Sequence, residues 1–128
     1  MKIQLTALLA GAALAGAAGA AHAADWQLIG STGGGGLIAF GLPSSVVHET
    51  GERTGGRIFW VKEFDQQANH TVVMHAEADC GAGGIRPLSA VIYNANGGVI
   101  ADVETPEGWT VAVPGSLNES MVGWACSR

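Results

Sequence analysis

One extended segment carries the side chains best suited to chemistry. His75, Glu77 and Asp79 alternate along residues 70–80, so an imidazole and two carboxylates share one side of the chain. Zinc and other divalent ions bind such groups. Successive members lie about 6.5–7 Å apart along a strand, so a shared ion needs help from a second strand. The spacing therefore favours a solvated strand face, with a metal site as the weaker alternative, and we expect no cofactor.

The other motifs that could support catalysis lack the context that they need. Glycine runs at 33–36 and 81–84 are each followed by strand-forming residues, whereas a phosphate-binding loop is followed by a helix. The sequence has no Gly-x-Ser-x-Gly motif, and no residue pattern pairs a nucleophile with a base. We therefore expect turns at both glycine runs and a protein that is not an enzyme.

The two cysteines, Cys80 and Cys126, are too far apart for a Cys-x-x-Cys motif. In an oxidising compartment they can pair with each other. The sequence predicts this single disulfide, and closing such a loop contributes roughly 4 kcal/mol to stability.

The first residues have the pattern of a secretory signal. A positive start at Lys2 precedes an apolar run over residues 5–21, which ends in the small-x-small sequence 21–23. A membrane-spanning helix is the alternative, which the Ala- and Gly-rich composition and the cleavage pattern disfavour. We expect residues 1–23 to be removed after Ala23, leaving one domain at 24–128. That domain would be periplasmic or secreted, with no membrane span and no cysteine for a lipid anchor.

Charge and aromatic content narrow the choice of partners. The formal net charge is −5 at pH 7, and the six Lys and Arg residues are scattered. Without a basic patch, nucleic acids and anionic membrane surfaces are poor partners, so we expect a protein or envelope partner that the sequence does not identify. Trp60 and Trp109 would form a binding patch if exposed together, whereas burial in a small core is the alternative.

The turn-forming residues Gly, Pro and Asn occur frequently between short β-prone segments, and this pattern predicts a sheet. The predicted strands cover 26–30, 37–40, 57–64, 70–80, 86–93, 99–104 and 109–113, with a hairpin turn at 94–97. Along 70–80 the odd positions include His75, Glu77 and Asp79, and the even positions from 72 onward are mostly small and apolar, namely Val72, Met74, Ala76, Ala78 and Cys80. A period of two therefore places the even set on the core and the odd set in water.

The end of the chain changes to a helical pattern. Ser116 and Glu119 form a capping box, in which the serine oxygen accepts the third helical N–H and the glutamate reaches the Ser116 N–H. Leu117, Met121 and Trp124 form one apolar stripe. A helix of about ten residues does not persist alone in water. We therefore expect an α+β fold in which a C-terminal helix packs on a sheet, fixed there by the disulfide.

The order of these features resembles the surface-adhesin protein E family of Gram-negative bacteria. The matching residues are Trp26, Ser44-Ser45, Trp60-Val61-Lys62, Cys80, Arg86, Val91-Ile92-Tyr93, Val99-Ile100, Trp109, Pro114-Gly115-Ser116, Glu119 and Cys126. The resemblance implies a single antiparallel sheet of about six strands, with the helix tethered to its concave face by the disulfide. It also implies kinship with a surface lipoprotein that binds matrix proteins such as vitronectin and laminin and can dimerise. The missing anchor cysteine and the missing basic cluster depart from that protein.

Three functions follow as hypotheses. The first is an exported non-catalytic binding module, periplasmic or associated with the cell envelope. The alternative is a true surface adhesin that binds host extracellular-matrix proteins, and for either we expect that a homodimer could form. The second alternative is an exported inhibitor or a hydrolase, which a concave pocket with convergent polar groups would favour.

Overall fold

The computed structural model describes residues 25–48, 55–104 and 108–128, so the predicted signal segment lies outside the described residues. The strands are β1 (Gln27–Ser31), β2 (Leu37–Gly41), β3 (Val47–His48), β4 (Gly56–Asp65), β5 (His70–Asp79), β6 (Gly84–Tyr93), β7 (Val99–Val103) and β8 (Thr110–Val111). Among the described residues one α-helix, α1 (Leu117–Cys126), follows them, and two short 3-10 helices lie at Gly33–Gly35 and Pro43–Ser45. No helix among the described residues is long and apolar enough to cross a membrane.

All the strands belong to one antiparallel sheet. Six of them lie in the order β1-β2-β4-β5-β6-β7, while β3 pairs with β4 and β8 pairs with β6. The α+β fold with a single antiparallel sheet is therefore confirmed, and the two short strands bring the count from about six to eight. The ten-residue strands β4, β5 and β6 form its centre, where β-branched and aromatic residues are frequent.

The core lies between the sheet and α1. Phe59 and Val61 of β4 and Ala76 and Ala78 of β5 are fully buried on the side that faces the helix. The helix contributes the buried side chains Met121, Val122 and Ala125. The predicted core position of Ala76 and Ala78 is confirmed, because the period of two along β5 continues to its end.

Gly41 allows the helix to approach the sheet closely. A Cβ atom at Gly41 would lie 2.5 Å from Cη2 of Trp124, so any side chain there would displace the indole ring. The same ring packs against Phe59, with 6.0 Å between ring centroids. The end of β2 is therefore shaped to receive α1.

Both ends of α1 are fixed. At its start the Ser116 hydroxyl accepts a hydrogen bond from the Glu119 N–H at 3.2 Å. The Glu119 carboxylate accepts from the Gly115 N–H at 2.8 Å, one residue before the Ser116 N–H that the capping box predicted. At its end Cys126 is bonded to Cys80, with 5.7 Å between the Cα atoms. The predicted disulfide tether is confirmed.

Candidate functional site

The side of the sheet that points away from α1 forms what we call the open face. Since Phe59 and Val61 face the helix, the alternating residues of β4 and their cross-strand partners face the other way. The open face consists of Phe40, Trp60, Lys62, Phe64, Val73, His75, Val91 and Tyr93. Its aromatic and apolar side chains are half-buried by one another, and Trp60 is 37% exposed.

Aromatic contacts hold the centre of the open face in place. Trp60 and His75 lie opposite each other on β4 and β5 and stack with 4.4 Å between ring centroids and 15° between planes. The Lys62 ammonium lies 4.6 Å from the ring centroid of Trp26 and 5.7 Å from that of Phe40. These distances are within the range of cation–π attraction, so the rings and the charge orient one another.

A shallow cleft opens beside this stack. It encloses about 430 Å³ and is lined by His75, Ser89 and Val91 on one side and by Asp102 and Glu104 on the other. Burial lowers the pKa of His75 below its ordinary value of 6.5, because desolvation disfavours the charged imidazole. At neutral pH the open face therefore presents a neutral imidazole beside two carboxylates.

The prediction that Glu77 and Asp79 face water is wrong. Glu77 is 2% exposed and Asp79 is 5% exposed. The Glu77 Oε1 accepts a hydrogen bond from Arg86 Nε at 3.1 Å and forms an ion pair with Arg86 Nη2 at 3.0 Å. The Arg86 guanidinium in turn lies 4.8 Å from the ring centroid of Trp109.

The cover over these carboxylates comes from β8. Its pairing with Gly84 and Ile85 brings Trp109 onto the same side of the sheet, where a Cβ atom at Gly84 would lie 3.5 Å from the indole. The Asp79 carboxylate accepts hydrogen bonds from the Gly81 and Ala82 N–H groups and so closes the turn after β5.

These contacts bear on the three candidate metal ligands. His75 stacks on Trp60, Glu77 pairs with Arg86, and Asp79 accepts from a turn, so each has a structural partner. In the part of the chain that the structure describes, no three His, Cys, Asp or Glu side chains are placed to hold a metal ion.

Three of the four tryptophans fall into two groups, and the fourth, Trp26, contacts Lys62. Trp124 packs in the core between α1 and the sheet, whereas Trp60 lies on the open face and Trp109 is half-buried against Arg86. Trp60 and Trp109 therefore share a side of the sheet, but Trp60 is the more exposed of the two.

Sequence reasoning missed Glu63. This residue has the same period-of-two phase as Phe59 and Val61, so its carboxylate lies on the helix side of the sheet. Burial raises the pKa of Glu63 above its ordinary value of 4.5. The alternation along the predicted strand 57–64 places Glu63 on the same side as Phe59 and Val61, and this pattern could have identified Glu63 as a carboxylate facing the core.

Comparison with known proteins gives one match. The family model described as surface-adhesin protein E matches residues 26–127. No curated protein and no solved structure matches the chain. The matched region runs from Trp26, which contacts Lys62, past the disulfide at Cys126. The chain belongs to the surface-adhesin protein E family.

Proposed function

We propose that the chain is an exported, non-catalytic module of the cell envelope that binds a protein partner through the open face. The observation that carries this proposal is the contrast between the two sides of one sheet. The helix covers one side and buries its apolar residues, while no described element packs over the centre of the other side. An aromatic sheet surface left in contact with water is typical of a protein-binding site.

The chemistry of the open face supports a protein partner. Tryptophan and tyrosine dominate binding energy at protein interfaces, because they bury a large area at little cost in side-chain entropy. Trp60 is already held by its stack on His75 and Tyr93 lies on the same face. Less ordering is therefore needed when a partner binds.

A non-catalytic role is supported by the structural use of the reactive side chains. Both cysteines form the disulfide, and Glu77 is held by Arg86. His75 stacks on Trp60 and has its pKa lowered by burial. Membership of an adhesin family points in the same direction.

The second candidate function is a true surface adhesin for host extracellular-matrix proteins. The family match over residues 26–127 favours it. It differs from the first candidate in where the open face must be displayed. An adhesin needs this face outside the outer membrane, whereas an envelope module can work in the periplasm.

Site-specific photo-crosslinking in the source cells tests the binding surface. A photoreactive residue in place of Trp60 should form adducts with a protein partner. The same residue in place of Val113, which is 63% exposed and lies outside every strand, should not. Identical adduct patterns from both positions would refute the proposal.

Protease treatment of intact cells then separates the two candidates. Cleavage of the protein before the outer membrane is opened supports the adhesin, and its open face should then bind immobilised matrix proteins. Protection until osmotic opening supports the periplasmic module and removes the adhesin.

A further inference from the structure

A cleft on the helix side of the sheet has no part in the function proposed above. It encloses about 250 Å³ between the central strands and the start of α1. Met74, Ile85 and Pro87 contribute apolar surface, Thr110 and Asn118 contribute polar groups, and Glu63 supplies a carboxylate. Pockets for drug-sized ligands enclose about 300–1,000 Å³, so this cleft suits a smaller molecule.

Within the described ranges the Glu63 carboxylate has neither a hydrogen-bond donor nor a cation beside it. Lys62 is its neighbour in sequence but points to the open face, where it contacts Trp26. Arg57, on the same side of β4, is six positions away and bonds the Arg128 carbonyl. At the rise of a strand that places Arg57 roughly 20 Å from Glu63.

The start of α1 does not neutralise Glu63. The partial positive charge of a helix N-terminus attracts anions, but here Glu119 already accepts the Gly115 N–H and Ser116 accepts the Glu119 N–H. Among the described residues nothing therefore offsets the negative charge that this half-buried carboxylate carries when it is ionised. Burial without a cation also explains why the pKa of Glu63 is raised.

We propose that this cleft binds a primary ammonium group carried on a short apolar stem. The ammonium would pair with the Glu63 carboxylate, and the stem would pack against Met74, Ile85 and Pro87. Two sources share this chemistry, a free alkylamine and the side chain of a lysine. The cleft and the open face lie on opposite sides of the sheet, so this proposal does not depend on the proposed function.

Nuclear magnetic resonance titration with n-butylammonium chloride tests the site. We expect saturable shifts of the Met74 methyl and Asn118 amide signals, and at least tenfold weaker binding to Glu63→Gln. The control Asp25→Asn removes an exposed carboxylate that lines neither cleft and should bind as the unmodified protein does. The uncharged probe 1-butanol should bind at least tenfold more weakly.

Two further measurements distinguish a free alkylamine from a lysine side chain and check that the variant is folded. Binding of N-acetyl-lysine amide as well as butylammonium supports the site and assigns it a lysine side chain. Binding of butylammonium alone supports the site and assigns it a free amine. A melting curve of Glu63→Gln as cooperative as that of the unmodified protein shows that the fold is intact. The proposal would be overturned if butylammonium gave no saturable shift. It would also be overturned if Glu63→Gln bound butylammonium as tightly as the unmodified protein does, or if 1-butanol bound as tightly as butylammonium.

Discussion

Glu77 holds a carboxylate inside the sheet with the Arg86 guanidinium beside it. Its Oε1 accepts a hydrogen bond from Arg86 Nε and lies within ion-pair distance of Arg86 Nη2, while its Oε2 has no hydrogen-bond partner within the described residues. Removing one partner of a buried ion pair leaves an uncompensated charge, which typically costs about 3–5 kcal/mol. Replacing both partners with apolar residues avoids that cost.

The substitution Arg86→Met should therefore lower the free energy of unfolding by about 3 kcal/mol. The double variant Glu77→Leu/Arg86→Met should recover most of this loss, since the Glu77 charge is removed together with its partner. Urea denaturation of both variants provides the measurement. A double variant no more stable than Arg86→Met would show that the loss came from packing against Trp109 rather than from the charge.

Glu63 should make the folded protein less stable as its carboxyl group ionises. Its pKa is raised in the folded state, so between 4.5 and that raised value the folded chain binds more protons than the unfolded chain. Stability then falls as the pH rises through this window. Below pH 4.5 the contribution is fully present, and above the raised pKa it is lost.

The substitution Glu63→Gln removes this dependence. We expect the variant to be more stable than the unmodified protein at pH 7, and the difference to shrink as the pH falls through the raised pKa towards 4.5. Thermal unfolding at a series of pH values measures it, with Glu104→Gln as the exposed control. A difference between Glu63→Gln and the unmodified protein that does not change with pH would contradict this account.

At the scale of elements, α1 depends on the sheet. Its ten residues include Gly123, and a helix of this length and composition is marginal in water. Packing on Phe59 and Ala76 stabilises it from one side, and the bond between Cys126 and Cys80 fixes its last turn. Loss of the tether should free the end of the helix first.

The double variant Cys80→Ser/Cys126→Ser tests the tether without leaving a free thiol. The bond joins residues that are 46 positions apart. Closing a loop of that length contributes about 4 kcal/mol by restricting the unfolded chain. We expect a loss of that order in the free energy of unfolding, measured by denaturant titration. Reduction of the unmodified protein should give a similar loss, and an unchanged curve in both cases would show that the bond does not stabilise the fold.

Local patterns in the sequence predict the strands and the helix, but they do not predict every contact that a side chain makes with distant parts of the chain. The core position of Ala76 and Ala78 follows from alternation, which is a property of the strand itself. The burial of Glu77 does not, because its cover includes Trp109, a residue that only strand pairing brings near. The Glu119 carboxylate similarly accepts from the N–H of Gly115, one residue earlier than the capping box predicts, and Gly115 has a positive φ of 83°.

At the scale of the whole molecule, the two edges of the sheet differ. The helix packs on β1 at one edge, while β7 at the other edge is exposed along its whole length. An exposed edge strand is a template for pairing with another chain, which proteins commonly block with lysine or proline. The β7 residues include neither, and Asp102 is their one charged residue.

We expect acidification to promote self-association through β7. The net charge of −5 at pH 7 keeps copies apart, and protonation of carboxylates weakens that repulsion. Sedimentation velocity near pH 5 should detect larger species, and Ile100→Lys, at a position 49% exposed on β7, should suppress them. Val113→Lys adds the same charge outside the sheet and should have a smaller effect. Equal suppression by both variants would assign the effect to net charge alone.

The bond between Cys80 and Cys126 also determines how the molecule would respond to mechanical load. A pull on Arg128 passes through the disulfide into the end of β5 at the centre of the sheet, so the helix is not peeled away. The 46-residue separation between the two cysteines then cannot lengthen under tension. At about 3.3–3.6 Å per residue, the disulfide therefore prevents the extension of roughly 150 Å of chain. The chain should therefore unfold from its N-terminal strands, while β6, β7, β8 and α1 carry no tension because they lie inside the covalent loop.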